Sequence, residues 1–248
     1  MKPLITSLSL LMLFAGGLVL DVRAGSKRRQ NFRADMVREI LEEPEAIKER
    51  VKKALKAYFK NPEFIRVTFF PTPLSKFPLG YFSRIDVHIK SAKVKALRVK
   101  EGNFRFHGLR INLNSLYRDG KMRLRSVEKS HYHFLVTEKS LNEAIREKRL
   151  PVINPYLSIE PGRLSFSAKF RTLFIKSHIE TKGRLAIQNG TQIYFYPERL
   201  KMNSVPIPGF LRKALSRKIN PIIDLDDFDF IKSIDKIILK QGLIEFQG

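Results

Sequence analysis

Residues 84–90 read RIDVHIK, and the alternation within this stretch decides the fold class. Ile85, Val87 and Ile89 share one parity, while charged or polar residues occupy the other. Successive side chains point to opposite sides of a β-strand, so the stretch has one apolar face and one polar face. It is therefore predicted to be a half-buried strand of an antiparallel sheet.

The same period of two recurs along the chain on both sides of this stretch. Pairs of turn-forming residues separate several of the runs, and Asp119-Gly120, Asn189-Gly190 and Gln241-Gly242 are predicted hairpin turns. Roughly nine or ten strands are expected. The other alternating runs are Ile65, Val67, Phe69; Phe104, Phe106; Tyr132, Phe134, Val136; Leu164, Phe166, Ala168, Phe170; Leu185, Ile187; and Ile193, Phe195.

Helices are predicted at three places. Residues 36–59 carry apolar residues at spacings of three and four, in two pieces of which the second begins at Pro44. Shorter helices are expected after a cap at Thr137 or Ser140 and over residues 208–219. The fold class is α+β, with one long meandering sheet. That sheet either curls around its own helix and leaves an apolar interior, or packs on itself as a sandwich.

The N-terminus indicates export. A positive start, an apolar run over residues 4–20, and Val22 and Ala24 at the positions that a signal peptidase reads predict a signal peptide over residues 1–24, with an uncleaved anchor as the alternative. Residues 25–35 are predicted to be a basic flexible lead-in, and residues 36–248 a single domain. The expected location is the periplasm or cell envelope.

The formal net charge of +23 narrows the expected partners. Inside a cell such a charge would indicate nucleic-acid binding. For an exported protein the expected partners are instead anionic membrane surfaces and other envelope polyanions. No nucleic-acid partner is therefore expected, and protein partners cannot be named. The chain contains no cysteine, so its fold must be held by an apolar core.

No catalytic motif is found, and the chain is predicted not to be an enzyme and to need no cofactor. His131 and His133 share a strand face without an acidic or third histidine neighbour in sequence, so a solvent-facing pair is favoured over a metal site. A lipid- or carbohydrate-modifying enzyme would need a polar cleft, for which no residues are found. The acidic cluster Asp224, Asp226, Asp227 and Asp229 lacks the spacing of an EF-hand, which favours a loop or a counter-charge.

The order of these segments resembles the LmeA-like phospholipid-binding proteins of the bacterial envelope, which belong to the tubular lipid-binding, TULIP-like superfamily. The resemblance implies a long, strongly twisted antiparallel sheet wrapped around a long N-terminal helix, an apolar tube for acyl chains, and neither a cofactor nor a reaction. The large positive charge departs from the family pattern. The likeness is carried by residues 64–67 with 71–80 and 85–89, by 106–113, by 134–142, by 206–211 with 220–225, and by 237–248.

The leading hypothesis is a protein that holds phospholipid or another acyl lipid in an apolar cavity and carries or presents it in the envelope. The alternative is a basic structural protein that binds envelope polyanions and has no cavity. The predicted lipid-binding residues are Ile65, Val67, Phe69, Ile85, Val87, Ile89, Phe104, Phe106, Phe134, Phe166 and Phe195, and the predicted membrane-docking residues are Arg84, Lys90, Arg123, Arg125, Lys169 and Lys176.

Overall fold

The computed structural model describes residues 30–248, apart from 95–96, 149, 151, 172–175, 204, 207–208, 227 and 229–230. The predicted signal peptide and the start of the lead-in lie outside the described residues.

The described chain begins with two helices, not one long helix. Helix α1 covers residues 30–42, so the second half of the predicted flexible lead-in is helical. Helix α2 is Pro44–Tyr58, with the proline in its first turn as predicted. The division has a physical cause, because a proline inside a continuous helix would remove a hydrogen bond and clash with the preceding turn. Ile47, Val51 and Leu55 of α2 are buried in the core.

Three further α-helices and one 3-10 helix lie among the strands. They are α3 (Leu113–Asp119), α4 (Glu138–Glu147), α5 (Gly209–Ile219) and the 3-10 helix Leu74–Leu79. The strands, in chain order, are β1 (Phe64–Phe69), β2 (Tyr81–Val94), β3 (Leu97–Ile111), β4 (Leu124–Ser126), β5 (Lys129–Thr137), β6 (Ile153–Glu160), β7 (Arg163–Arg171), β8 (Lys176–Gln188), β9 (Gln192–Met202), β10 (Val205–Pro206), β11 (Ile223–Asp224), β12 (Lys236–Lys240) and β13 (Leu243–Gln247).

These strands form two antiparallel sheets, so the expectation of one continuous sheet is wrong. The first sheet has seven strands in the order β1-β2-β3-β5-β13-β12, with β4 paired to β3. The second has six, in the order β10-β9-β8-β7-β6, with β11 paired to β9. Helix α4 intervenes between β5 and β6, which ends the meander of the first sheet. The C-terminal hairpin then returns to the first sheet through pairing of β13 with β5.

The two sheets meet where the C-terminal hairpin passes the β6–β7 turn. The Gly162 amide donates to the Leu239 carbonyl at 3.2 Å, and the Gly242 amide donates to the Ile159 carbonyl at 2.9 Å. Buried side chains from both sheets and from α2 belong to one apolar cluster. The inner faces of the two sheets therefore share a core.

Two asparagine side chains pair with strands of the second sheet, one with the edge strand β6 and the other with β9. The Asn142 amide group accepts from the Leu157 amide and donates to the Leu157 carbonyl, both at 2.7 Å. Asn220 accepts from the Phe195 amide at 2.7 Å and donates to the Phe195 carbonyl at 2.8 Å. Each amide thus replaces one residue of a neighbouring strand. By contrast β1, at the edge of the first sheet, is paired with β2 alone among the described strands.

Two of the three predicted hairpin turns are confirmed. Asn189-Gly190 joins β8 to β9, and Gln241-Gly242 joins β12 to β13. Asp119-Gly120 is instead the end of α3, with Gly120 as its left-handed C-cap, so that prediction is wrong. The helix is favoured over a hairpin because the Asn112 side chain caps its N-terminus and because Leu113 and Leu116 are buried.

Candidate functional site

The inner face of the first sheet is built from alternate residues of its long central strands. Ile85, Val87 and Ile89 of β2 are exposed by 1% or less. Val87 is directly opposite Phe104 of β3, and Ile85 is opposite Phe106. The intervening residues, among them Arg84 and Asp86, are partly exposed on the other side. The parity inferred from RIDVHIK is therefore the parity of the folded strand.

All eleven predicted lipid-binding residues lie in or against the shared apolar core. The eight on β2, β3, β5, β7 and β9 are exposed by no more than 3%. The three on β1, Ile65, Val67 and Phe69, are only partly buried because β1 is an edge strand. Their contact with lipid remains a prediction, but their placement on the inner surface of the strands is observed.

An aromatic cluster occupies the middle of the first sheet's inner face. Phe134 stacks on Phe246 with ring centroids 4.7 Å apart, and Phe104 lies 6.2 Å from Phe134. Phe59, which follows α2, contacts Phe104 at 5.7 Å and Phe228 at 5.9 Å. These rings join helix α2, three strands and the 228 segment. Ring pairs of this kind add roughly 0.5–1.5 kcal/mol each beyond the burial of their area.

Between β7 and β8, the second sheet packs two large residues opposite small ones. Leu164 of β7 pairs with Gly183 of β8, and Phe166 pairs with Thr181. A Cβ on Gly183 would overlap the Tyr196 carbonyl and lie 2.8 Å from the Phe195 ring. The Phe195 ring therefore lies over the glycine.

Sequence reasoning missed several inner-face residues that the structure places beside the predicted ones. Ile244 and Phe246 are fully buried on β13, and they share a parity that could have identified them. Other core residues that sequence reasoning missed include Phe82, Leu109, Ile111, Leu157, Ile159 and Phe228.

The six residues predicted to dock on membrane differ in their surroundings. Arg84 is engaged by Asp86, with Arg84 Nε 2.8 Å from Asp86 Oδ1. This hydrogen bond lowers the pKa of the Asp86 carboxyl. The Lys176 side chain lies outside the described part of the structure. Lys90, Arg123, Arg125 and Lys169 are exposed.

Most histidines of the chain lie on the outer face of the first sheet. His133 contacts Glu245, with His133 Nε2 2.8 Å from Glu245 Oε1, so the pair His131 and His133 does have an acidic neighbour, contrary to expectation. Glu245 belongs to a strand more than a hundred residues away, which sequence spacing could not reveal. Within the described residues, no group of three or more histidine, aspartate or glutamate side chains could hold a metal ion.

Glu245 is the most strongly perturbed carboxyl on this outer face. Hydrogen bonds from Lys240, Gln247 and His133 lower its pKa to about 2. Lys240 Nζ lies 2.6 Å from Glu245 Oε2. The carboxylate thus holds the C-terminal hairpin to β5 and serves as a structural ion pair.

The acidic cluster of residues 224–229 is local structure where it is described. Asp226 accepts hydrogen bonds from Thr191 and, at 2.7 Å, from the Gln192 side chain. Asp224 accepts from the Asp226 amide at 3.0 Å. Asp227 and Asp229 lie outside the described residues. The contacts of Asp226 tie its loop to the start of β9.

None of the helices in the described part of the chain combines the length and hydropathy needed to cross a membrane. A family model described as LmeA-like phospholipid-binding matches residues 44–248. No curated protein and no solved structure matches the chain. Because the family match covers most of its length, the chain belongs to the LmeA-like phospholipid-binding family.

Proposed function

Starting from this membership, we propose that the protein is exported, holds phospholipid acyl chains against the inner faces of its two sheets, and carries or presents lipid in the cell envelope. The observation that carries the proposal is the continuous apolar cluster shared by both sheets, in a chain whose family binds phospholipid.

The partly buried inner residues support an interior that can admit a chain. Ile65, Val67 and Phe69 on β1 and Leu185 and Ile187 on β8 pack against the core without being fully covered. These positions retain apolar surface that an acyl chain can cover. Burial gives about 0.8 kcal/mol per methylene, so one chain of about sixteen carbons gives on the order of 10 kcal/mol before ordering costs.

Binding of this kind needs no polar constellation, which agrees with the histidines and carboxylates being engaged in structural contacts. Glu245 and Asp226 both bond to neighbouring side chains of the fold. The proposal therefore includes no reaction. Its chemistry is the transfer of apolar surface from water to the interior of the sheets.

The first test is native mass spectrometry, with organic extraction, of the chain from Gly25 onward. About one or two phospholipids per chain are expected. A chain that is free of lipid, and that also fails to take up labelled phospholipid, would contradict the carrier function and favour the polyanion-binding alternative.

A second test locates the lipid, because the chain contains no tryptophan. A Phe69→Trp variant places a single fluorophore on the inner parity of β1, and Thr68→Trp places one on the outer parity as a matched control. After loading with phospholipid brominated in its acyl chains and removal of vesicles, quenching is expected in F69W and not in T68W. Equal quenching in both variants would show adsorption to the outside.

Export is tested separately by N-terminal sequencing of protein recovered from the envelope fraction. A start at Gly25 is expected from the predicted cleavage after Ala24. Recovery of the full chain in the cytoplasm would contradict the location without affecting the lipid site.

A further inference from the structure

One end of the first sheet carries a groove of about 470 Å³ that contains three arginines. Arg33 comes from α1, Arg110 from the end of β3 and Arg125 from β4. None of the groove's lining residues is an aspartate or glutamate. The rest of the lining is Met36, Pro78, Leu79, Ile111, Leu113, Asn114 and Ser126.

The local fold brings these arginines together. Strands β3 and β4 pair through Arg110 opposite Ser126, with a bulge next to Ile111. The chain before β2 closes against the same point, since the Ile111 amide donates to the Gly80 carbonyl at 2.9 Å. Gly80 is needed there because its φ is 69° and a Cβ would overlap the Ile111 carbonyl. Leu79 is consequently held at the rim of the groove.

The three guanidinium groups differ from those of Arg50, Arg84 and Arg105, which each have a carboxylate partner. Arg84 and Arg105 both face Asp86, and Arg50 lies 2.9 Å from Glu39. For Arg33, Arg110 and Arg125 no ion pair is found within the described residues. All three are exposed, so their charge is available to a ligand. Planar guanidinium groups are well suited to phosphate oxygens.

Apolar side chains surround this charge and identify the kind of phosphate. Leu79 is 56% exposed. A second groove shares Arg33 and is lined by Val37 and by Leu41, which is 45% exposed, and also by Gln30, Ala34, Arg38 and Glu42. A free phosphate ion would make no use of exposed leucines. A bilayer surface offers lipid phosphates for the arginines and the acyl region for the leucines.

We propose that the Arg33–Arg110–Arg125 groove binds phospholipid phosphates at a bilayer surface and, with Leu79 inserted, docks this end of the protein on an anionic membrane. The inference rests on the proposed function, because a carrier must meet the bilayer with which it exchanges lipid. It assigns docking to one groove, where the sequence had suggested a broad basic face.

The test is co-sedimentation of the full chain with vesicles of phosphatidylcholine and phosphatidylglycerol at physiological salt. The variant R110Q/R125Q removes two charges from the groove. The control K169Q/K201Q removes two exposed lysine charges from the second sheet. At about 1 kcal/mol per cation near the surface, R110Q/R125Q is expected to bind about thirtyfold more weakly. The control is expected to change by less than about threefold, because these lysines are remote from the docked end.

A second variant tests the apolar contact. Leu79→Asp is expected to weaken vesicle binding about tenfold or more, since it prevents insertion of one leucine. Ile153→Asp, at a residue that is 46% exposed on β6, is the matched control and is expected to have little effect. Thermal melting of every variant verifies that the changes at these surface sites leave the fold intact.

Equal losses in R110Q/R125Q and K169Q/K201Q would overturn the inference in favour of diffuse attraction, as would unchanged binding of R110Q/R125Q. Bound lipid in purified R110Q/R125Q, measured by native mass spectrometry, is expected to match that of the wild type. If the wild type contains no lipid and yet shows groove-dependent vesicle binding, the carrier function fails and the docking surface stands.

Discussion

The two sheets bury apolar faces of similar composition by different means. The first sheet interlocks aromatic rings: Phe134 stacks on Phe246, and Phe104 lies between Phe134 and Phe59, which follows α2. The second sheet sets Leu164 and Phe166 opposite Gly183 and Thr181. The side chains of Asn142 and Asn220 pair with its strands β6 and β9. The comparison indicates that the stability of the first sheet depends mainly on the aromatic cluster at its centre. The stability of the second sheet depends on the asparagine side chains that pair with β6 and β9, and on Gly183, which has no side chain.

The largest expected effect concerns the aromatic cluster. Phe134→Ala should lower the free energy of unfolding by about 4 kcal/mol, since it removes both buried area and ring stacking. Phe166→Ala, in the second sheet, should cost about 1 kcal/mol less, because Phe166 faces Thr181. Urea unfolding of both variants measures the difference. Equal losses of unfolding free energy in the two variants would contradict the proposed difference between the packing of the two sheets.

The next largest loss of stability is expected at Asn142, which pairs with the edge strand β6 of the second sheet. Asn142→Leu should cost about 3 kcal/mol, because the Leu157 amide and carbonyl both lose a buried partner. Asn114→Ala, at an exposed residue of α3, is the control and should be nearly neutral. Hydrogen exchange at Leu157 should accelerate only in N142L. An unchanged rate there would show that α4 does not hold this edge.

A smaller loss of stability is expected from a substitution at Gly183, which lies opposite Leu164. Gly183→Ala should destabilise the protein by about 2 kcal/mol, because its methyl group would displace the Tyr196 backbone and the Phe195 ring. Gly209→Ala is the control, since a Cβ at that residue meets nothing within 4 Å. Thermal melting should separate the two variants. If G183A melts with the wild type, the second sheet adapts more readily than its packing indicates.

The smallest expected effect concerns the outer face of the first sheet. The pKa of Glu245 is about 2 in the folded chain, below the unfolded value of about 4.3. Its stabilisation is therefore complete above about pH 5 and is lost as the pH falls towards 2. Glu245→Gln should cost about 1 kcal/mol at pH 7 and progressively less at lower pH. Urea midpoints at neutral and acidic pH measure this convergence, and parallel curves would contradict it.

The sequence was sufficient for the parts of the fold that are fixed by local periodicity. The strand parity of Ile85, Val87 and Ile89, the helix start at Pro44 and the turn at Asn189-Gly190 all follow from spacing and backbone preference. The Asp119-Gly120 error has a local cause, because the same pair ends a helix or forms a hairpin according to what precedes it.

What the sequence could not provide are contacts between distant segments. The junction of the two sheets depends on hydrogen bonds of Gly162 and Gly242 with strands far along the chain. The pairing of Asn142 with Leu157 uses a residue type that propensity assigns to caps and turns. The groove joins Arg33, Arg110 and Arg125, which no spacing rule connects.

Because β1 pairs with β2 alone among the described strands, its other side bears on whether the protein aggregates at high concentration. A strand with one vacant side is a template on which another extended chain can add, and stacked additions lead to aggregates. Arg66 lies at the middle of β1, exposed on its outer parity, and the whole chain carries a charge of +23. Two copies that met through their β1 strands would bring like charges together. The basic composition therefore opposes pairing between the β1 strands of two copies.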